Sequence, residues 1–192
     1  MAYLIVGLGN PDKEYGETRH NVGFMFLDAL AKASQASDFK LEKKLEAEIA
    51  TGKFNGQKVV LAKPQTYVNK SGDAVRKIKL FYKTPLENII VVHDDLDVLF
   101  ESSKLSPGSG AGGHKGVHSI LSQLKTENIK RLKIGLANNK LKLARDQKSD
   151  QKRKEMISNF VLSKFTPGEK EKLKKIFKEG IEKVKLGIKQ IS

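Results

Sequence analysis

Residues 2–34, AYLIVGLGNPDKEYGETRHNVGFMFLDALAKAS, hold the transition that decides the fold. AYLIVGL is a short apolar run broken by Gly9, Asn10 and Pro11, so it reads as a buried strand closed by a turn. From Asn21 to about Ser34, Val22, Phe26, Leu27 and Leu30 recur at near-helical spacing, the mark of an amphipathic helix. The apolar run is too short for an anchor and has no basic leader, which predicts neither signal peptide nor membrane span.

Working outward, the alternation continues. EAEIATGKF and QKVVLAKP read as two strands joined at Asn55-Gly56, a dipeptide suited to the left-handed residues of a tight hairpin. After the loop PQTYVN, Ser71 to Lys83 repeats a helical pattern through Val75, Ile78 and Phe81, and Pro85 ends it. NIIVVHDDLD (88–97) predicts a strand of β-branched residues that stops abruptly in carboxylates, with a further strand between Val98 and Leu105. The glycine-rich loop PGSGAGGHKG leads to a short helix around 117–124, and RLKIGLA reads as another strand. The segment 138–154 is polar and strongly basic with no apolar period, which predicts a mobile surface insertion. Thr166, Pro167 and Glu169 form a capping box for a last helix with the stripe Leu173, Phe177, Ile181, Val184 and Ile188. The expectation is an α/β fold: a single domain over 1–192 with a mixed, twisted β-sheet flanked by helices on both faces.

Composition removes some chemistries. The chain has no cysteine, which excludes disulfides, thiolate metal sites and cysteine nucleophiles and is compatible with a cytoplasmic location. Its net charge of +14 is regional: residues 1–100 carry 14 Lys and Arg against 13 Asp and Glu, residues 101–192 carry 22 against 9. Clustered cations suit a polyanion, nucleic acid first and an acidic membrane surface second, while a lysine-rich solvated surface gives the same count.

The unusual polar residues fall where strands and loops end: Asn10, His20, Asn69, Asp94, His114 and Lys115. In an open α/β sheet such ends converge on one cleft. GLGNP is not a dinucleotide loop, since the third glycine position is Asp12; PGSGAG is neither a GxSxG elbow nor a phosphate loop. His114 and His118 share a helix face, but neither cysteine nor a nearby carboxylate in sequence completes a metal set, so no metal and no cofactor is expected. What remains suits hydrolysis by an activated water. An imidazole such as His20 is basic enough to accept a proton yet largely neutral near neutral pH. Asp94 would fix its tautomer, and Asn10 and Asn69 would donate to an oxyanion without competing for the proton. Each residue also has a plain reading: a histidine before a helix caps it, a strand-end aspartate binds turn amides, and Asn before Pro makes a turn.

Taken together, LIVGLGNPDKEYGETRHNVGF, KPQTYVNKSG, VVHDDLD and GSGAGGHKGV resemble the bacterial peptidyl-tRNA hydrolases in order and spacing from residue 4 to about 120, with further similarity at RLKIG and FVLSKF. The resemblance implies a monomeric, cytoplasmic α/β enzyme that cleaves the ester between a peptide and the 3′ end of tRNA and recycles tRNA from stalled translation. It assigns His20 as catalytic histidine, Asp94 as its support, and Asn10 and Asn69 as substrate and oxyanion asparagines. Tyr15 and Asn21 flank the site, His114 and Lys115 belong to its substrate loop, and Lys133 matches a basic position implied in phosphate contact along the acceptor stem, with Lys104 a second, weaker-matched basic candidate. The chain departs from the family in three places: Lys115 stands where Asn is usual, DLDVLFE lacks a Pro-Gly turn, and 138–154 is longer and more basic. Two other functions fit the same residues less well: an RNA-binding relative without hydrolysis has no chemical need for His20 with Asp94, and a small-ester esterase has none for the basic second half.

Overall fold

In the computed structural model, which describes residues 2–188, the N-terminal apolar run forms β1 (Tyr3–Gly7), wholly buried at the centre of a seven-stranded sheet. It lies parallel between β4 (Gln57–Pro64) and β5 (Ile89–Leu99), and β7 (Lys130–Ala137) extends the parallel set beyond β5. Covered on both faces, these four strands carry apolar runs, VVLA in β4, IIVV in β5 and IGLA in β7, rather than an apolar-polar alternation. Antiparallel strands close both edges: β3 (Ala47–Phe54) then β2 (Lys40–Glu42) outside β4, and β6 (Ser103–Ser106) outside β7. At the β3–β4 hairpin Asn55 and Gly56 take φ of 52° and 76°, the left-handed pair their types favour.

One face is covered by α1 (Val22–Ala33) and α6 (Pro167–Gly187), the other by α2 (Ser71–Tyr82) and α3 (Lys115–Leu124). Phe26, Leu27 and Leu30 of α1 meet Ile5 and Val92, while Val75, Ile78, Val117 and Ile120 pack on Leu4, Val6 and Val91. Each such side chain contributes roughly 1.5–3 kcal/mol by leaving water. The start of α1 lies unusually close to the sheet: a Cβ on Gly23 would sit 2.5 Å from both Leu8 N and Val92 O. That approach delivers the residues just before α1 to the end of β5.

Three expectations change. The segment 138–154 is helical, not irregular: α4 (Asn139–Arg145) buries Leu141 and Ala144, and α5 (Asp150–Leu162) buries Phe160. Two apolar residues one turn apart are too few to register as a period, and the signal lies in the caps, where Asn138 and Ser149 accept from Leu141 N and Lys152 N. Second, β5 does not stop at its carboxylates; it runs to Leu99 through a register shift after Asp95, and Glu101, at φ 75°, makes the turn to a shorter β6. Third, edge strand β2, fully exposed, had no periodic signal. Among the described residues no helix is long and apolar enough to cross a membrane.

Candidate active site

The site assembles from the loop after β1 outward. Asn21 grips the main chain of Asn10 from both sides: its Oδ1 accepts from Asn10 N and its Nδ2 donates to Asn10 O, both at 2.9 Å. The Asn10 side chain in turn accepts from Val68 N at 3.0 Å. With Oδ1 so used, the buried Asn10 has its Nδ2 left to offer. Val68 opens the 3-10 turn 68–70, so the same bond fixes the loop carrying Asn69, whose exposed amide makes no hydrogen bond among the described residues.

His20 occupies the middle of the 3-10 turn Arg19–Asn21 ahead of α1, and its neighbour holds that turn in place. Arg19 is buried between the rings of Phe160 and Phe165, donates to Ser163 and Lys164, and meets both Glu169 oxygens at 2.7 Å. Glu169 is also the reciprocal member of the α6 capping box.

Opposite lies Asp94, one of whose oxygens is shared by two histidines. Oδ1 is 2.9 Å from His20 Nδ1 and 2.9 Å from His114 Nε2, and the two rings lie 5.0 Å apart. His114 is the N-cap of α3, its Nδ1 accepting from Gly116 N and Val117 N at 3.2 and 3.3 Å. Gly112 and Gly113, at positive φ, turn the chain into that cap. An acceptor role at Nδ1 puts the His114 hydrogen on Nε2, directed at Asp94. The carboxylate likewise orients Nδ1–H of His20, and His20 Nε2 keeps its lone pair with no partner among the described residues.

The ligand atoms of His20, Asp94 and His114 lie within 4.8 Å of one another, a spacing a metal ion could use. Metal ligation through His114 Nε2 would move its hydrogen to Nδ1 and set it against two helix amides. The trio therefore suits proton transfer better than coordination.

Burial opposes the charged form of His20, but the Asp94 carboxylate and its hydrogen bond outweigh it, holding the ring above the ordinary imidazole value; Lys115 pulls it part of the way back. Burial alone would raise Asp94, yet the two histidines hold it far below the usual carboxylate range. Asp94 is thus a fixed anion.

The plain readings fall on neighbours instead. The capping histidine is His114, not His20, and the aspartate that binds turn amides is Asp95, through Asp97 N and Val98 N at 2.8 and 3.1 Å. The structure brings Asn10 and Asn21 into one bonded pair and His20, Asp94 and His114 into one bonded trio, the two adjacent in the chain at His20 and Asn21. His114, expected toward the substrate, has both ring nitrogens engaged within the protein. Lys115 is exposed as the first residue of α3, and Tyr15, half-buried, closes the 3-10 turn 13–15 with its carbonyl held by Thr18. Lys104 and Lys133 stand apart on β6 and β7, directly opposite each other; Lys104 is exposed, whereas Lys133 is 2.9 Å from Asp95 Oδ2.

Sequence reasoning missed Arg19, Arg131 and His93. Arg131, buried on β7, holds the glycine-rich loop by donating to Gly110 O at 3.0 Å and to Ser109 Oγ. Its residue type alone gave no signal, because β7 also carries Lys130 and Lys133; what sets Arg131 apart is burial, which is costly for a cation without a task.

Comparison with known proteins points to one family. The model of the family described as peptidyl-tRNA hydrolase matches residues 4–191. A peptidyl-tRNA hydrolase of Mycolicibacterium smegmatis is 41% identical over 187 residues, 97% of this chain and 91% of that protein. One from Exiguobacterium sibiricum is 50% identical over 133 residues, covering 69% and 70% of the two chains. Among solved structures, the peptidyl-tRNA hydrolase of Acinetobacter baumannii superposes with a TM-score of 0.83 at 34% identity over 96% of this chain and 87% of its own. A peptidyl-tRNA hydrolase complexed with N-propanol gives 0.84 at 35% identity, over 97% and 88%.

Proposed function

The chain belongs to the peptidyl-tRNA hydrolase family and hydrolyses the ester of peptidyl-tRNA; from that premise we propose that His20 is the general base and Asp94 its orienting anion. The observation that carries this reading is the single Asp94 oxygen held at 2.9 Å by both His20 Nδ1 and His114 Nε2, which commits the other His20 nitrogen to an incoming water. Water attacks the ester carbonyl as Nε2 takes its proton, and the imidazolium formed is stabilised by Asp94. The oxyanion that develops is met by Asn10 Nδ2, the Asn69 amide and the Lys115 ammonium. Collapse breaks the bond to the ribose oxygen, which receives the proton from His20 and leaves as the 3′-hydroxyl of tRNA; the peptide leaves as an acid.

Lys104 and Lys133 contact acceptor-stem phosphates, which position the substrate without reading its sequence. A blocked amide enters the site at little cost, whereas the bare ammonium of aminoacyl-tRNA must be desolvated, and this spares the charged tRNAs in use. The enzyme acts as a cytoplasmic monomer on the 3′ end and acceptor stem.

The test is release of tRNA from N-acetylated aminoacyl-tRNA by the wild type and His20→Ala, each with and without EDTA. His20→Ala should be slower by about 10²- to 10⁴-fold with EDTA immaterial. Equal rates would sink the base assignment, and inhibition by EDTA would overturn the metal-free step.

A further inference from the structure

His93 takes no part in the chemistry above, yet it is buried beside it. Its Nδ1 donates to the main-chain oxygen of Asp94 at 2.6 Å, and its ring meets the His114 ring edge-on, centroids 4.9 Å apart at 71°. Its Nε2 is buried with no partner among the described residues. A buried acceptor left unpaired carries an uncompensated desolvation cost that a phenylalanine of the same outline would avoid. What favours an imidazole here is therefore its other nitrogen.

Asp94 is consequently gripped twice. Its side-chain Oδ1 is fixed by His20 and His114, and its peptide oxygen by His93. His93 and His114 complete a closed contact around this one residue, because His114 touches both the carboxylate and the His93 ring. On its outer side His93 is paired in the sheet register with Lys133, next to the Asp95–Lys133 ion pair.

We propose that His93 is a positioning residue for this reaction: it sets the Asp94 peptide plane and the tilt of the His114 ring so that one carboxylate oxygen serves both histidines. The inference rests on the His20–Asp94 reading. Burial, reinforced by His114, pushes His93 down to about 3, so it remains an uncharged donor throughout the range in which His20 titrates. The groups facing His20 are Asp94 from β5 and His114 and Lys115 from α3. Of these, His93 touches Asp94 and His114.

Two substitutions separate the bond from the ring. His93→Phe keeps the ring and loses the Nδ1 donor; His93→Asn loses the ring and places an amide donor near Nδ1. With N-acetylated aminoacyl-tRNA, His93→Phe should lower kcat about ten- to a hundred-fold with KM within about two-fold of wild type, through misplacement of Asp94. The acid limb of its kcat/KM profile should move to lower pH as His20 loses its well-placed anion. His93→Asn should recover most of the kcat and return the limb toward its wild-type position. A wild-type kcat and limb in His93→Phe would overturn the proposal, as would equal kcat losses in both variants with an unmoved limb, the signature of packing alone. If His93→Phe does not fold, His93→Gln, whose amide reaches the Nε2 position instead, takes its place, and the same two results would overturn the proposal. His20→Ala is assayed alongside: if it retains activity the general-base reading itself fails, and if it is inactive while His93→Phe is unaltered only this inference falls.

Discussion

Around Asp94 the charges are buried and paired, and every strong interaction is within the protein: one carboxylate oxygen shared by two imidazoles at 2.9 Å, and a reciprocal amide pair between Asn10 and Asn21. Along β6, α4 and α5 the opposite holds, with Lys104, Lys140, Lys142, Lys152 and Lys154 standing in water. The first region is built from low-dielectric contacts that salt barely reaches; the second from exposed cations whose attraction for a polyanion is screened within about 10 Å at roughly 0.1 M salt. Chemistry and substrate capture therefore respond to different perturbations, and the two can be pulled apart.

The largest effect is expected at the shared oxygen. Asp94→Asn removes the fixed anion and should lower kcat by on the order of 10²- to 10⁴-fold, with KM and the slope against salt unchanged. Because neutral His20 is the active form and Asp94 raises its pKa, activity in the wild type falls as the pH drops through that raised value, and the acid limb of Asp94→Asn should lie at lower pH. Steady-state rates across pH decide it.

Next comes the clamp behind His20. Glu169→Ala strands the buried Arg19 guanidinium and should cost about 3 kcal/mol in a urea titration. Burial opposes the Glu169 carboxylate, but the Thr166 amide and Arg19 hold it below its ordinary value. Its contribution is therefore present at neutral pH and lost as the pH falls through the lowered pKa. Wild-type stability in the variant would show that the ion pair is replaceable.

At the basic edge the expected change is smaller and of another kind. Lys104→Gln should raise KM several-fold, leave kcat alone and reduce the slope of log affinity against log salt by about one, measured by tRNA binding at several salt concentrations. A fall in kcat instead would erase the division between the two regions. The smallest shift of the acid limb is at Lys115, which lowers the pKa of His20: beyond the fall in kcat that its oxyanion role implies, Lys115→Met should move the limb to higher pH, readable in the same assay as Asp94→Asn and opposite in sign.

Most of the layered fold was legible because its signals are local. The apolar runs of β1 and β5, the Asn55-Gly56 turn and the Thr166–Glu169 capping box each announce themselves within a few residues. Illegible elements lack such redundancy: α4 is fixed by one cap and two buried side chains, and β2 by pairing alone. At the site, residue types were readable but their pairing was not. Nothing in HDD says which aspartate faces a histidine, since successive strand residues point to opposite sides and the choice is made by the approach of α1 over Gly23. The same long-range geometry gave His114 a carboxylate that its neighbours in sequence do not supply.

The Arg19 clamp also bears on the order in which the molecule can be made. Its hydrogen-bond partners lie 144, 145 and 150 residues further along the chain. During synthesis from the N-terminus, His20 emerges early, and the strands beneath it can pair before the segment 163–169 exists. The turn that carries the base is braced only once that late segment emerges. Maturation of the catalytic corner is thus tied to the emergence of segment 163–169, and a chain arrested upstream of residue 163 would present the right residues on an unbraced turn.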